Sequence, residues 1–190
     1  MAHGARVDRT GAGGLSGGGG GLGGGPWRES AARYALLPLR LFLGATFVYA
    51  GVDKLTDPSF LAANGSGSLG ELMRAVRDGA AIPALVDLAL KNPVGFGYAI
   101  AVGEIAVGVA TLVGLRGRLA AFGGALISLS LWLTVSWQTT PYYYGNDLPY
   151  MFCWLPLVLA GAPYWSLDAL IRARRRGRNQ ADRLGRALYG

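Results

Sequence analysis

Four apolar segments dominate this sequence of 190 residues. They run from about Tyr34 to Val52, from Gly95 to Leu115, from Leu119 to Trp137 and from Tyr150 to Leu167. Each is about 17–21 residues long, which at the rise of an α-helix spans about 30 Å, the thickness of the hydrocarbon core of a bilayer. Helices satisfy their own backbone hydrogen bonds, as lipid requires. The segments therefore predict an all-α integral membrane protein built as a four-helix bundle.

Composition agrees with a membrane protein and limits the chemistry. Only 15% of the residues are charged, whereas soluble domains usually carry about a quarter. The net charge of +7 comes from basic residues at the chain ends and beside apolar runs, which indicates anionic lipid rather than nucleic acid as the partner. A single cysteine, Cys153, and a single histidine, His3, allow no internal disulfide and no haem or zinc site. We therefore expect no metal or haem.

Three regions follow from these patterns. Residues 1–30 form a glycine-rich tail that cannot bury enough apolar surface to offset its ordering entropy, and we expect it to be disordered. Residues 31–169 hold the membrane domain, and residues 170–190 form a basic tail. Within that tail, Ser166 is a suitable cap for a helix to about Arg178 that would lie on anionic lipid.

Basic residues also predict the orientation in the membrane. Fourteen of the 18 flank the chain ends and the turn at 116–118, and four fall between the first and second segments. Because cytoplasmic loops carry the excess of Lys and Arg, both termini should be cytoplasmic in a bacterial plasma membrane. Residues 53–93 and 138–149 would then face outward.

The longer outward stretch should contain two short extracytoplasmic helices between spans one and two. Ser68 and Glu71 form a capping-box pattern that predicts a helix to about Asp78. Pro83 can open a second helix to about Leu90. Its apolar residues recur at helical spacing at Leu85, Leu88 and Ala89, so we expect it to lie along the membrane surface.

Two ionisable residues lie inside the apolar segments, where such groups are costly and often functional. Arg40, near the start of span one, could snorkel to cytoplasmic headgroups or pair with an anion inside the bundle. Glu104, at the centre of span two, must be either paired or protonated. It could make a structural hydrogen bond or handle protons and orient a ligand. Lys54 does not obviously reach it, because Glu104 should lie about 14 Å below the outer end of its span.

Polar residues at two span ends could converge at the outer mouth of the bundle. Asp53 and Lys54 close span one, and Asn146, Asp147 and Tyr150 open span four. The alternative is an ordinary solvated helix end. Aromatic residues nearby fit either an interfacial belt or a pocket for a quinone ring: Trp132, Trp137, Tyr142, Tyr143, Tyr144 and Trp154. Small residues on spans one to three, such as Gly44, Gly51, Gly103 and Gly108, should allow close helix packing.

Three motifs in the right order resemble the DoxX/DoxD family. The first is FVYAGVDKL at residues 47–55, followed by Asp57-Pro58. The second is GEIAVG at 103–108, followed by GLRGR at 114–118. The third is YGNDLPY at 144–150, with LPL at 155–157. Together they cover about residues 35–169.

The resemblance implies a four-helix membrane protein that is a subunit of a quinone-linked oxidoreductase. The DoxD branch is associated with thiosulfate:quinone oxidoreductase, which oxidises thiosulfate to tetrathionate and reduces a membrane quinone. Glu104 would then handle protons as the catalytic residue, and Lys54 would attract the substrate anion. The other residues of the expected substrate site are Asp53, Asn146, Asp147, Tyr150 and Arg40.

Partners and alternatives also follow from the resemblance. A second, DoxA-like subunit or a soluble redox enzyme would complete the enzyme, because the chain shows no ligands for a redox metal of its own. The competing hypothesis is a non-catalytic DoxX-type scaffold or anchor for soluble redox enzymes. A permease fits less well, since the sequence lacks an inverted-repeat signal.

Overall fold

A computed structural model describes residues 31, 34–162 and 165–189, and its regular elements are all helical, as predicted. The α-helices are α1 (Leu37–Thr56), α2 (Leu69–Val76), α3 (Pro83–Leu90), α4 (Pro93–Val113), α5 (Gly117–Thr134), α6 (Asp147–Ala160) and α7 (Leu167–Tyr189). Short 3-10 helices lie at Arg77–Gly79 and Tyr142–Tyr144. The glycine-rich tail at 1–30 lies outside the described residues.

Four helices, α1, α4, α5 and α6, pack around one core. The most extensive contacts join α1 to α4 and α5 to α6, and smaller contacts join α4 to α5 and α1 to α6. The buried core comprises Leu43, Phe47, Ala121, Ala125, Trp154 and Leu157. Trp154 is fully buried, with its ring centroid 4.9 Å from that of Phe47. It is therefore a core residue and fits neither of the two interpretations given to it, an interfacial belt or a quinone pocket.

The outer faces of these helices are apolar. Among the described helices, α4 and α5 are long and apolar enough to cross a bilayer. Large apolar side chains stay exposed on every long helix, for example Leu41 on α1, Val102 on α4, Phe122 on α5 and Phe152 on α6. Soluble monomers rarely expose so much continuous apolar surface. The surface supports a membrane location.

The helix boundaries differ from the predicted spans in two informative places. α1 continues past Val52 to Thr56, so Asp53 and Lys54 are helical. α6 begins at Asp147 and stops at Ala160, instead of running from 150 to 167. Gly161 ends it with φ of 71°, a left-handed conformation that favours glycine. Hydropathy did not reveal this stop because apolar residues continue on both sides of it.

The two predicted short helices, α2 and α3, are confirmed. Ser68 Oγ accepts a hydrogen bond from the Glu71 amide at 3.2 Å, and the Glu71 carboxylate accepts one from the Gly67 amide at 3.1 Å. On α3, Ala89 is buried against α2 rather than turned to the surface, whereas Leu88 is exposed. The predicted apolar face of α3 is therefore divided between the protein interior and the outside.

An ion pair joins the end of α2 to α3. Arg77 Nε and Nη2 donate to the two carboxylate oxygens of Asp87 at 2.5 and 3.0 Å. The hydrogen bonds from Arg77 hold the pKa of Asp87 below its ordinary value. Because the carboxyl pKa is lowered, the ion pair contributes to folding stability at neutral pH, and this contribution is lost only as the pH falls through that pKa.

The start of α1, the α4–α5 turn and the start of α7 lie at one end of the molecule. Arg40 is buried, and its Nη2 donates to the Trp165 carbonyl oxygen at 2.6 Å. The Asp168 carboxylate accepts from the amides of Arg116 and Gly117 at 2.9 and 3.0 Å. The three regions predicted to be cytoplasmic therefore contact one another at this end of the molecule.

The predicted helix in the basic tail is present and longer than expected. Ser166 Oγ accepts a hydrogen bond from the Ala169 amide at 3.1 Å, which is the expected cap. The helix continues past Arg178 to Tyr189. Its binding to anionic lipid stays a prediction.

Candidate functional site

A buried ion pair links α1 to α4. Lys54 Nζ donates to both carboxylate oxygens of Glu104, at 2.8 and 3.1 Å. The Glu104 side chain is only 4% exposed and that of Lys54 is 23% exposed. The expectation that Lys54 would fall short of Glu104 was wrong.

Helix stagger explains this contact. Gly51 packs directly on the Ala101 carbonyl and on Ile105, so the C-terminal end of α1 lies beside the middle of α4. Lys54, three residues after Gly51, is then within about one helical turn of the level of Glu104. The prediction had placed the outer ends of the two helices at the same height.

Asp147, at the first turn of α6, completes the charged cluster. It accepts a hydrogen bond from Ser136 Oγ and interacts electrostatically with both Lys54 and Glu104. The three groups carry two carboxyls and one ammonium. The cluster thus has one net negative charge when all are ionised and becomes neutral when it binds one proton. Because buried net charge is costly, such a cluster is suited to taking up and releasing a proton.

Beside this cluster lies a largely apolar cavity of about 430 Å³. Lys54 and Asp147 supply its charged groups. The remaining lining residues are Phe60, Leu69, Leu72, Met73, Leu85, Leu88, Ala89, Phe96, Ile100, Ser130, Leu131, Thr134 and Val135. Its size falls within the range of small-molecule sites, and an apolar wall with a few polar groups is typical of them.

The short helices α2 and α3 cover one side of this cavity, and α4 and α5 form its walls. Phe60 and Phe96 are its aromatic residues. Ser130 Oγ donates to the Ile127 carbonyl at 2.8 Å, and Thr134 Oγ1 donates to the Ser130 carbonyl at 2.7 Å. Their hydroxyl oxygens therefore retain lone pairs that can accept further hydrogen bonds.

The predicted site residues separate into two groups. Lys54 and Asp147 line the cavity, and Glu104 connects to it through Lys54. The remaining predicted residues do not line the cavity. Asp53 and Asn146 are exposed. The ring centroid of Tyr150 lies 6.1 Å from that of Phe42, and Arg40 lies at the other end of α1. Fourteen residues of helix separate Arg40 from Lys54, about 21 Å along the axis.

Several cavity residues were missed by sequence reasoning. Ser130 and Thr134 are four residues apart in an apolar span, which places both hydroxyls on one helix face. That spacing was a usable signal, and Ser136 follows soon after. Phe60 and Phe96 gave no such signal, because aromatic residues occur throughout the chain. Of the two interpretations given to the aromatic residues, a belt or a quinone pocket, the pocket does not fit Tyr142, Tyr143 and Tyr144, which are exposed and do not line the cavity.

Comparison with known proteins identifies the family. A family model described as TQO small subunit DoxD matches residues 35–184. That range includes α1 to α6, the ion pair and the whole cavity lining. Searches of curated proteins and of solved structures give no significant match. The match covers most of the 190 residues, and the chain therefore belongs to the DoxD family.

Proposed function

We propose that this chain is the small membrane subunit of a thiosulfate:quinone oxidoreductase, and that it binds the quinone substrate in the cavity beside Lys54. The observation that carries the proposal is an apolar cavity with the charged cluster of Lys54, Glu104 and Asp147 at one end. Four helices, α1, α4, α5 and α6, would form the membrane-spanning bundle. The DoxD family description supports the oxidoreductase assignment.

The chemistry of a quinone fits the cavity. A quinone has a flat apolar ring and two carbonyl oxygens that accept hydrogen bonds. Phe60 and Phe96 can contact the ring. The Lys54 ammonium can donate to one carbonyl in place of its long 3.4 Å hydrogen bond to the Ala50 carbonyl, while both bonds to Glu104 remain. Glu104 holds that ammonium in place, so Glu104 is better described as a positioning residue than as the catalytic residue that the sequence indicated.

Thiosulfate, a dianion, fits the same cavity poorly. The charge of Lys54 is already balanced by Glu104, and Asp147 would repel an anion. Transfer of an unpaired anion into a largely apolar cavity is also costly. We therefore place thiosulfate oxidation outside this cavity, with the DoxA-like second subunit as the partner that supplies its site.

The balanced reaction requires protons. Two thiosulfates join through a new sulfur–sulfur bond to give tetrathionate, and the two electrons released reduce quinone to quinol. Two protons must be added to the quinone oxygens, and thiosulfate supplies none. Asp147 lines the cavity at the first turn of α6, next to the exposed Asn146. It is thus placed to pass protons from the outer aqueous phase to the quinone.

Quinone binding by the purified chain tests the proposal. Leu131→Trp should fill part of the cavity and abolish saturable binding of decylubiquinone, measured in lipid nanodiscs. Leu126→Trp is the matched control, because Leu126 lies on the same helix but is exposed and outside the cavity. Equal binding by the two variants would contradict the proposed site. If the unaltered chain binds no quinone at all, the scaffold hypothesis is favoured instead.

The proposed topology makes a separate prediction. Both termini should be cytoplasmic and residues 53–93 extracytoplasmic, because of the asymmetry of the basic residues. Alkaline phosphatase fused after Ser68 should be active, and the same enzyme fused after Arg172 should be inactive. Green fluorescent protein should show the reverse pattern. An active phosphatase after Arg172 would refute this orientation.

A further inference from the structure

An open cleft of about 630 Å³ lies at the opposite end of the molecule from the quinone cavity. Three arginines border it: Arg116 from the α4–α5 turn, Arg118 from the start of α5 and Arg172 from α7. Asp168 is its acidic residue. The charged side chains around the cleft sum to two positive charges, so it should attract an anion.

The carboxylate of Asp168 offsets only one of the three positive charges, and its oxygens are hydrogen-bonded within the protein. It accepts hydrogen bonds from the backbone amides of Arg116 and Gly117. The backbone amide of Asp168 donates to the Gly114 carbonyl at 3.2 Å. Burial raises the pKa of Asp168, but these amide bonds and the nearby Arg172 outweigh burial and keep the pKa below its ordinary value. Asp168 thus stays ionised and fixes α7 against the turn.

The backbone holds the arginines of the turn in place. Arg116 has φ of 47° and ψ of 47°, a left-handed conformation that residues other than glycine rarely adopt. The side chain of Arg118 lies against Gly161, where an added Cβ would come within 3.1 Å of it. Both arginines therefore extend from a defined backbone turn at the edge of the cleft.

An apolar groove of about 270 Å³ adjoins the cleft and shares Arg116 and Leu119 with it. The rest of its lining is Ala106, Val107, Ala110, Leu115 and Ala120, from α4, the turn and α5. Leu119 is 61% exposed on the outer face of α5. A basic cleft that continues into an apolar groove matches a molecule with an anionic head and a hydrocarbon chain.

We propose that this end of the protein binds one anionic phospholipid. Its phosphate lies among Arg116, Arg118 and Arg172, and an acyl chain lies in the groove between α4 and α5. Guanidinium groups bind phosphate through paired hydrogen bonds, and basic pockets between membrane helices are known to hold acidic headgroups. The groove favours a lipid over free phosphate. The proposal depends on the membrane location but not on the redox function.

Native mass spectrometry of the full chain with phosphatidylglycerol tests it. The triple variant R116Q/R118Q/R172Q should retain the lipid at least about tenfold less than the unaltered chain, since each arginine near phosphate contributes to binding. The matched control is R174Q/R175Q/R178Q, which removes the same charge from exposed positions on α7. It should retain the lipid nearly normally, and phosphatidylcholine should bind weakly to all three proteins.

Two further measurements distinguish the sources of phosphate. Ala110→Leu should reduce phosphatidylglycerol retention by filling the groove, while leaving the thermal stability of the protein in detergent unchanged. Equal loss in both arginine triples would overturn the proposal in favour of general charge attraction. Displacement of the lipid by millimolar inorganic phosphate, with normal retention in Ala110→Leu, would also overturn it and identify an inorganic phosphate site.

Discussion

Asp147→Asn is expected to lower the rate of quinone reduction by about 100-fold or more, the usual contribution of a positioned proton donor. Asparagine keeps the size of the side chain and can still accept the hydrogen bond from Ser136, but it cannot release a proton. Decylubiquinone should still bind with nearly unchanged affinity. The measurement is thiosulfate-dependent reduction of decylubiquinone by the complete oxidoreductase in proteoliposomes, together with a binding titration.

Glu104→Gln is the comparison that separates proton transfer from positioning. Glutamine can still accept a hydrogen bond from Lys54, so the ammonium keeps a partner, but the charge of the cluster changes. We expect a smaller loss of turnover than in Asp147→Asn and a weaker affinity for quinone. If Asp147→Asn stays active while Glu104→Gln loses turnover and keeps its affinity for quinone, Glu104 is the proton carrier. The assignment of that role to Asp147 then fails.

Local features of the fold were predictable because they follow from short stretches of sequence. The S-x-x-E pattern at Ser68 and the proline at Pro83 placed α2 and α3 correctly. The apolar segments located α1, α4 and α5 approximately, whereas the fourth segment was predicted at 150–167 and the helix found there is α6, Asp147–Ala160. The end of α6 at Gly161 was missed, since it depends on a backbone conformation that apolar composition does not reveal.

The candidate site was only partly predictable, because it depends on how the helices are staggered. Glu104 was recognised as an unusual residue inside an apolar segment, and Lys54 and Asp147 were recognised as polar residues at span ends that could converge. Their contact requires α1 to pack beside the middle of α4, and hydropathy contains no information on that offset. The small residue Gly51 on α1 was interpreted as a packing residue, but its partner on α4 could not be identified from one sequence.

Gly51 therefore controls the geometry of the site, and Gly51→Ala should damage both folding and quinone binding. An added Cβ would lie 2.5 Å from the Ala101 carbonyl oxygen and 2.6 Å from Ile105 Cγ1. The first contact is with backbone, which cannot rotate away, so α1 must move from α4. Overpacking of this kind typically costs about 1–3 kcal/mol. The movement would also separate Lys54 from Glu104, three residues beyond the contact.

Gly103→Ala is the matched control, on α4 itself. Its added Cβ would meet only Ile127 Cδ1 at 3.8 Å, an ordinary contact. Because alanine is also a better helix former than glycine by up to about 1 kcal/mol, this variant should be as stable as the unaltered chain or more so. Thermal unfolding in detergent and decylubiquinone titration should show a lower melting temperature and weaker binding in Gly51→Ala alone. If both variants melt and bind like the unaltered chain, the close α1–α4 contact at Gly51 is not what holds Lys54 against Glu104.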